Sequence, residues 1–296
     1  MMRSYSDEDI ARLVPFPQPQ ANKYTRGKLT LVVGSPVYPG AAVLASMAAQ
    51  RAGAGYTEAY VEDSIVPQTQ MARPSLVVHP WNRWDASQCK PLDEDHPCAY
   101  AMGCGFDPQD PYLASIVRRL LRAAQVPVLI DGGALGFMSS RKVRDLCRER
   151  SEQGFATIVT PHAGEAAMMA GPFGLSTDDS EQLALDLSRA YGVTVVLKGP
   201  DTLISDGDGI YRMSRGTAAL AKAGTGDVLA GVIGALLAQG LDPVDACVLG
   251  TTLHARAGLL AQTDLSAVSV CAEDVIEYLP KAVLAVSNRE YDEQTD

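Results

Sequence analysis

Val126-Pro127-Val128-Leu129-Ile130-Asp131, Ala156-Thr157-Ile158-Val159-Thr160-Pro161 and Val193-Thr194-Val195-Val196-Leu197-Lys198 are three short apolar runs, each ending on a polar or turn-forming residue. Helical patterns lie between them, at 141–150 and 181–191. A run without polar alternation fits a strand buried on both faces. The alternation extends outward in both directions. Strand-like runs fall at 29–33, 56–61, 76–78 and 99–102, with helices at 41–52, 112–124, 228–239, 243–262 and 272–286. Alternating β and α elements predict an α/β fold, a mostly parallel central sheet with helices on both faces. Runs at 202–205 and 210–213, separated by Asp206-Gly207-Asp208-Gly209, read as a hairpin added at one edge.

The chain has 296 residues, 47% hydrophobic and 20% charged, too apolar for disorder. No composition shift marks a linker, so one domain is expected over 29–286, after a leader at 1–28 and before a tail at 287–296. Asp7 to Leu13 suggests a short helix within that leader, and Pro15, Pro17 and Pro19 extend the chain after it. A formal net charge of −10 argues against a nucleic-acid or anionic-membrane partner. Six cysteines occur without a CxxC pair or zinc spacing, and the first ten residues are polar and acidic. The longest apolar stretch, 228–238, is far below the roughly 20 residues a membrane span needs. A soluble, cytoplasmic protein with reduced thiols is the expectation. Residues 81–97, with two tryptophans and several prolines, look like an excursion or lid.

The strongest chemical signal is Ala223-Gly224-Thr225-Gly226-Asp227-Val228-Leu229-Ala230-Gly231. Two glycines frame a threonine, and an aspartate sits in the first turn of an apolar helix. Glycines allow close backbone approach, and a helix N-terminus offers N–H groups and a positive dipole end to phosphate. An aspartate there also serves as a plain complement to the dipole. Beside a phosphate-binding turn, though, it is placed to deprotonate an attacking hydroxyl. Lys198-Gly199-Pro200-Asp201-Thr202 follows a strand, where open α/β sheets bind ligands, so Lys198 is a candidate to neutralise phosphate and Thr202 to hydrogen-bond it. A surface lysine in a turn is the competing reading.

Three weaker motifs share this strand-end position. In Thr160-Pro161-His162-Ala163-Gly164-Glu165, His162 and Glu165 are candidates for substrate or a hydrated metal ion, although Glu165 also suits a helix start. Gly34 to Ala42 lacks both GxGxxG and the Walker lysine, and its small residues instead suit a flat substrate lying against backbone. Gly103-Cys104-Gly105 could line the same crevice. Cys104 reads as a small buried thiol, and His254, inside a helix, as packed core or support for the site.

Taken in order, these motifs resemble the ADP/ATP-dependent NAD(P)H-hydrate dehydratases, a branch of the ribokinase-like superfamily. The similarity runs from about residue 23 to 285. Its most specific parts are Gly40-Ala41-Ala42 with Arg51-Ala52-Gly53-Ala54-Gly55, the His162 motif, Lys198-Gly199 and the 223–231 turn. The resemblance implies repair of the S epimer of hydrated NADH or NADPH. ADP or ATP phosphorylates the substrate hydroxyl, and phosphate elimination restores the dihydronicotinamide ring. It implies Asp227 as base and substrate contact, Gly226 at the nucleotide phosphates, and Lys198, Gly199, Pro200, Asp201 and Thr202 along the AMP portion. Ala41, Ala42, Gly105 and His162 would contact the hydrated cofactor. Mg2+ would accompany the phosphates, with Glu165 holding it through water, and the assembly would be a homo-oligomer, a tetramer.

Two positions depart from the pattern: Asp131-Gly132-Gly133 where a second acidic residue commonly follows the first, and Lys222 where a small polar residue is usual. Because only a short leader precedes the first strand, conversion of the R epimer is expected to need another protein. A ribokinase-like kinase of a vitamin precursor would use the same Gly226-Asp227 pair, but the His162 motif disfavours it. An inactive nucleotide-binding regulator has no need of Asp227 or Lys198.

Overall fold

The computed structural model describes residues 2–89 and 95–287. In chain order the elements are β1 (Met2–Arg3), α1 (Asp7–Arg12), β2 (Lys28–Val32), α2 (Pro39–Arg51), β3 (Tyr56–Val61), α3 (Val66–Ala72), β4 (Val77–Pro80), β5 (Cys98–Met102) and α4 (Pro111–Ala123). There follow β6 (Val128–Ile130), α5 (Arg141–Glu152), β7 (Thr157–Val159), α6 (Ala163–Ala170), α7 (Ser180–Tyr191), β8 (Thr194–Leu197), β9 (Thr202–Ser205) and β10 (Ile210–Met213). The chain then closes with α8 (Thr225–Ala238), α9 (Pro243–Leu265) and α10 (Ala272–Val286). Among the described residues ten strands form one sheet in the order β1-β10-β9-β8-β7-β6-β5-β2-β3-β4. Only β9 runs against the rest, being antiparallel to both β8 and β10. From β2 the chain steps outward to β3 and β4, then crosses back to β5 on the other side of β2. That reversal opens a crevice beyond the carboxyl ends of β2 and β5, where α/β sheets bind ligands.

The strands are apolar on both faces because each face carries a helical layer. Leu29 and Leu31, Ala59 and Val61, Ala99 and Ala101, Leu129, Ile158 and Val196 point into one core, shared with α2, α8, α9 and α10. Val32, Tyr60, Tyr100 and Met102, Val128 and Ile130, Val159, Val195 and Leu197 point into the other, shared with α4, α5, α6 and α7. The α/β architecture with helices on both faces is therefore as the sequence predicts.

Helices α2 and α8 pack closely because small residues face each other. A Cβ added at Gly231 would stand 2.2 Å from the Ala45 carbonyl oxygen and 3.0 Å from Ala48 Cβ. Alanine is worth about 1 kcal/mol over glycine in a helix, but overpacking a tight contact costs about 1–3 kcal/mol. Since the clash is with backbone, the second effect wins. Gly231→Ala should lower the denaturant midpoint with an unchanged slope, and a raised midpoint would disprove the close-contact account.

Two elements differ from the sequence expectation. The hairpin of β9 and β10 is not the outermost pair, because Met2–Arg3 adds in parallel beyond it, Met2 opposite Ile210. Near it, the Tyr5 hydroxyl donates to Asp245 and Ile10 of α1 is buried. The irregular stretch after β4 is anchored through residue 89. Trp81 and Trp84 are 6% and 4% exposed, and Trp81 Nε1 donates to the Tyr60 carbonyl at 3.0 Å. The lid reading for that stretch otherwise falls on residues 90–94, outside the described residues, as does most of the 287–296 tail.

Candidate active site

The carboxyl ends of β5, β6, β7 and β8 lie side by side, and each contributes one polar side chain to a single cluster. Asp131, directly after β6, is 2% exposed. Its Oδ1 accepts from Lys198 Nζ at 2.8 Å and from Thr160 Oγ1 at 2.5 Å. Cys104 Sγ, after β5, donates to its Oδ2 at 3.6 Å. Asp227 completes the group from the first turn of α8, and one ligand-type atom from each of Cys104, Asp131 and Asp227 lies within 4.8 Å of the others.

Helix α8 begins three residues earlier than its apolar pattern suggested, so Asp227 is its third residue. Gly224 takes the N-cap at φ 90°, and a Cβ there would stand 2.8 Å from Leu44 Cδ1 and 3.1 Å from Ala272 Cβ. A left-handed backbone in so tight a place suits glycine alone. Among the described residues no side chain caps this helix start; Thr225 N–H donates to the Lys222 carbonyl at 3.4 Å, and the N–H groups of the rest of the first turn are the kind a phosphate takes. Gly226 lies beside the cation: a Cβ there would be 3.5 Å from Lys198 Nζ.

The electrostatics follow from burial and crowding. Asp227 is pushed up to about 6, first by burial and then by the charge of Asp131, with the Cys104 thiol and Lys198 pulling weakly the other way. Burial works against the Lys198 charge, but the Asp131 charge and hydrogen bond, helped by Glu165, outweigh it and hold the ammonium above its ordinary value. Burial, then the charges of Asp227 and Asp131, push the Cys104 thiol well up. It is a thiol donor and not a nucleophile, in keeping with the sequence reading. His254 is buried and is pulled down to about 4 by burial, so it stays neutral in the layer behind Thr225.

The loops after β7 and β8 run in parallel, with a bridge between His162 and Lys198 and a bond from Lys198 N–H to the Pro161 carbonyl at 2.8 Å. His162 is the N-cap of α6: its Nδ1 accepts from Gly164 N–H at 3.1 Å and Glu165 N–H at 3.2 Å. Glu165 Oε2 in turn accepts from His162 N–H at 2.8 Å, completing a capping box. Glu165 thus does serve the helix start, while Oε1 has the His162 ring at 3.5 Å. Burial, opposed by the Lys198 charge, raises the Glu165 carboxyl.

On the other side of Cys104, a Cβ at Gly105 would be 2.9 Å from Ala41 Cβ and 2.9 Å from the Tyr38 carbonyl. Gly105 and Ala41 therefore share one small-residue surface. Ala42 beside them is 0% exposed and lies under Gly34. His162 is two strands over from Gly105, about 10 Å by strand spacing. Gly199 and Pro200 are exposed. Asp201 is ion-paired to Arg212 at 2.7 Å, and Thr202 opens β9. Lys222 Nζ donates to the Val268 carbonyl at 2.7 Å. Asp131, Thr160 and the contact of Cys104 with both aspartates are the elements that sequence reasoning missed.

The donor set bears on a metal. Hard oxygen ligands with retained waters suit Mg2+. The Asp131 cluster is a poor cage, because the Lys198 ammonium already sits where a cation would. Glu165 Oε1, at the rim and with spare acceptor capacity, fits water-mediated contact.

This fold, with a glycine-framed helix start carrying a half-buried aspartate beside a strand-end lysine, defines a ribokinase-like nucleotide-dependent enzyme. The family model described as NAD(P)H-hydrate dehydratase matches residues 29–281. The chain belongs to that family. It is 28% identical over 287 residues to the ADP-dependent (S)-NAD(P)H-hydrate dehydratase of Cenarchaeum symbiosum, covering 95% of this chain and 96% of that one. It is 32% identical over 276 residues to the bifunctional NAD(P)H-hydrate repair enzyme of Moorella thermoacetica, covering 90% of this chain but 51% of that protein, so it spans about half of such relatives. The crystal structure of the ADP/ATP-dependent NAD(P)H-hydrate dehydratase from Bacillus subtilis, co-crystallised with ATP and Mg2+, superposes with a TM-score of 0.80 at 28% identity, covering 96% and 99% of the two chains.

Proposed function

We propose that this protein uses ADP or ATP to dehydrate the S epimer of hydrated NADH or NADPH, with Asp227 as the base. The observation that carries the reading is Asp227 itself. It is a carboxylate raised to about 6, in the uncapped first turn of α8, with Lys198 beside Gly226. Hydroxide is a poor leaving group, so the ring hydroxyl is first phosphorylated. Asp227 takes the hydroxyl proton as the oxygen attacks the terminal phosphorus and the shortened nucleotide departs. The C–O bond then breaks with its electron pair on phosphate, the neighbouring ring carbon gives up a proton that ends on the released phosphate, and the C–H electron pair becomes the restored ring double bond. Lys198, Gly226 and the 199–202 strip cradle the phosphates and AMP portion, while Ala41, Gly105 and His162 receive the hydrated cofactor, with Ala42 fully buried beneath that surface and supporting it. The small residues Ala41 and Gly105 let a flat ring lie on the backbone, and positioning supplies much of the rate. Mg2+, held through water at Glu165, would neutralise the phosphate oxygens.

We extend the proposal to a single catalytic domain over 29–286, preceded by the 1–28 leader, working in the cytoplasm as a homo-oligomer. Among the described residues no helix is long and apolar enough to cross a membrane, and exposed Val37, Tyr38 and Met71 are apolar groups a second copy would cover.

The test is to supply S-epimer NADH hydrate, Mg2+ and ADP or ATP and to follow the return of dihydronicotinamide absorbance. Recovery that requires nucleotide supports the reading. A phosphorylated product that accumulates without recovery would point to a kinase instead. The acid side of the profile follows from Asp227. A base must be unprotonated, so kcat/KM should fall tenfold per pH unit below about 6 and be flat above it. A profile flat down to pH 4.5 would assign the base elsewhere.

A further inference from the structure

We propose that Asp131 is a positioning residue for the phosphoryl transfer: it draws the Lys198 ammonium away from Asp227 and fixes it beside the Gly226 turn. The cluster brings three carboxylates, Asp131, Asp227 and Glu165, around one ammonium, Lys198. In a crowded, poorly hydrated site that cation could pair with any of them, and its choice decides the chemistry. Paired directly to Asp227 it would stabilise the charged carboxylate and make a weak base.

The structure gives it to Asp131. That carboxylate is held by donors from three further strand ends, Cys104 after β5, Thr160 after β7 and Lys198 after β8. The ordinary work of an aspartate at this position is not done. Asp131 is the N-cap residue of the 3-10 turn Gly132–Ser139, yet its side chain makes no cap bond. It is aimed instead into the site, bonded to Lys198 at 2.8 Å and with its charge beside that of Asp227. The titratable groups facing Asp227 are then Asp131, Cys104 and Lys198, with Glu165 beyond the lysine and His254 behind the helix start. Asp131 thus holds the phosphate-directed cation and keeps the base basic. Neither role requires it to touch substrate.

The inference deepens the proposed reaction and rests on it for the word phosphoryl, but its test reads the protein without substrate. Carboxyl carbons of 13C-aspartate protein would be titrated by NMR, with the Asp227 signal assigned through its loss in Asp227→Asn. Asp131→Asn keeps the shape, removes the charge and frees Lys198. The Asp227 midpoint is expected to fall from about 6 toward ordinary carboxylate values. In Lys198→Met the midpoint should rise, because Asp131 is then unshielded. Opposite shifts in the two variants are the expected result, since a merely structural disturbance would not produce opposite signs. An Asp227 midpoint unmoved in both variants, or moved the same way in both, overturns the proposal. If Asp131→Asn does not fold, the lysine variant alone decides, and no rise there overturns it. In turnover, Asp131→Asn should lower kcat about 100-fold and move the acid limb down, with KM for the hydrated cofactor within about twofold. Opposite NMR shifts in a protein that dehydrates nothing would reject the reaction and leave the positioning role standing.

Discussion

Asp227→Asn should abolish most turnover, by roughly 1,000-fold in kcat, while the protein remains at least as stable as the parent. The loss is that of a general base, whose contribution is typically about 10²–10⁴-fold. Asparagine keeps the shape and can still accept from Cys104, so binding of either substrate should change little and the loss should sit in kcat. Stability should move the other way. The folded carboxyl titrates near 6, above its ordinary 3.8. At neutral pH the folded state therefore carries a charge its surroundings disfavour, a cost present above the folded value and absent in acid. Removing the group removes that cost, so the melting temperature at pH 7 should hold or rise. Thermal scans beside steady-state kinetics would decide. A fall in melting temperature with little loss of kcat would make Asp227 a structural cap and not the base.

Arg150→Met should cost about 4 kcal/mol of stability and leave the kinetics nearly untouched. Arg150 is 3% exposed at the amino-terminal ends of the central strands β6 and β7, the end of the sheet opposite the active site. Its Nη2 donates to the Val126 carbonyl at 2.8 Å and the Ala156 carbonyl at 3.1 Å, and Nε to Thr157 Oγ1 at 3.0 Å. Nη1 reaches the Leu121 carbonyl at 3.4 Å and the Ala124 carbonyl. These acceptors match the five N–H donors of a guanidinium. Burial lowers its affinity for the proton to about 10, still well charged at neutral pH. One side chain thus ties the end of α4 to the starts of β6 and β7. Methionine would fill the space but orphan buried carbonyls. For a chain of this size the melting temperature should drop on the order of 10 °C. Arg150→Lys should recover only part, because three donors on one nitrogen cannot span the same acceptors. An unchanged melting temperature would show that water replaces the guanidinium.

Arg150 also shows what the sequence made legible. Val143, Leu146, Cys147 and Arg150 follow a helical stripe, so a charge on the apolar side was there to be noticed. The main strands and helices were readable because both-face burial leaves unbroken apolar runs. Two elements were not: β1 is two residues long, below any periodicity, and α3 begins with Val66-Pro67 straight after a 3-10 turn. In the site, glycines announced Asp227 and Lys198 followed its strand directly. Asp131 also followed its strand directly, yet nothing beside it marked it as more than the start of a turn. An aspartate before two glycines reads as a turn residue, and its partners lie 27, 29 and 67 positions away. Only the order of β5, β6, β7 and β8 in the sheet brings them together.

The two ends of the sheet carry a consequence of another kind. An open sheet leaves a row of unpaired backbone groups along each border, a template on which a neighbouring chain can continue the ladder. On one side the border strand is β1, only two residues long. On the other it is β4, four residues that end in Pro80, which has no N–H to offer. Both borders are thus too short or too blunted to recruit a partner strand. Among the described residues neither border offers a long unbroken ladder on which this ten-stranded sheet could seed a fibre.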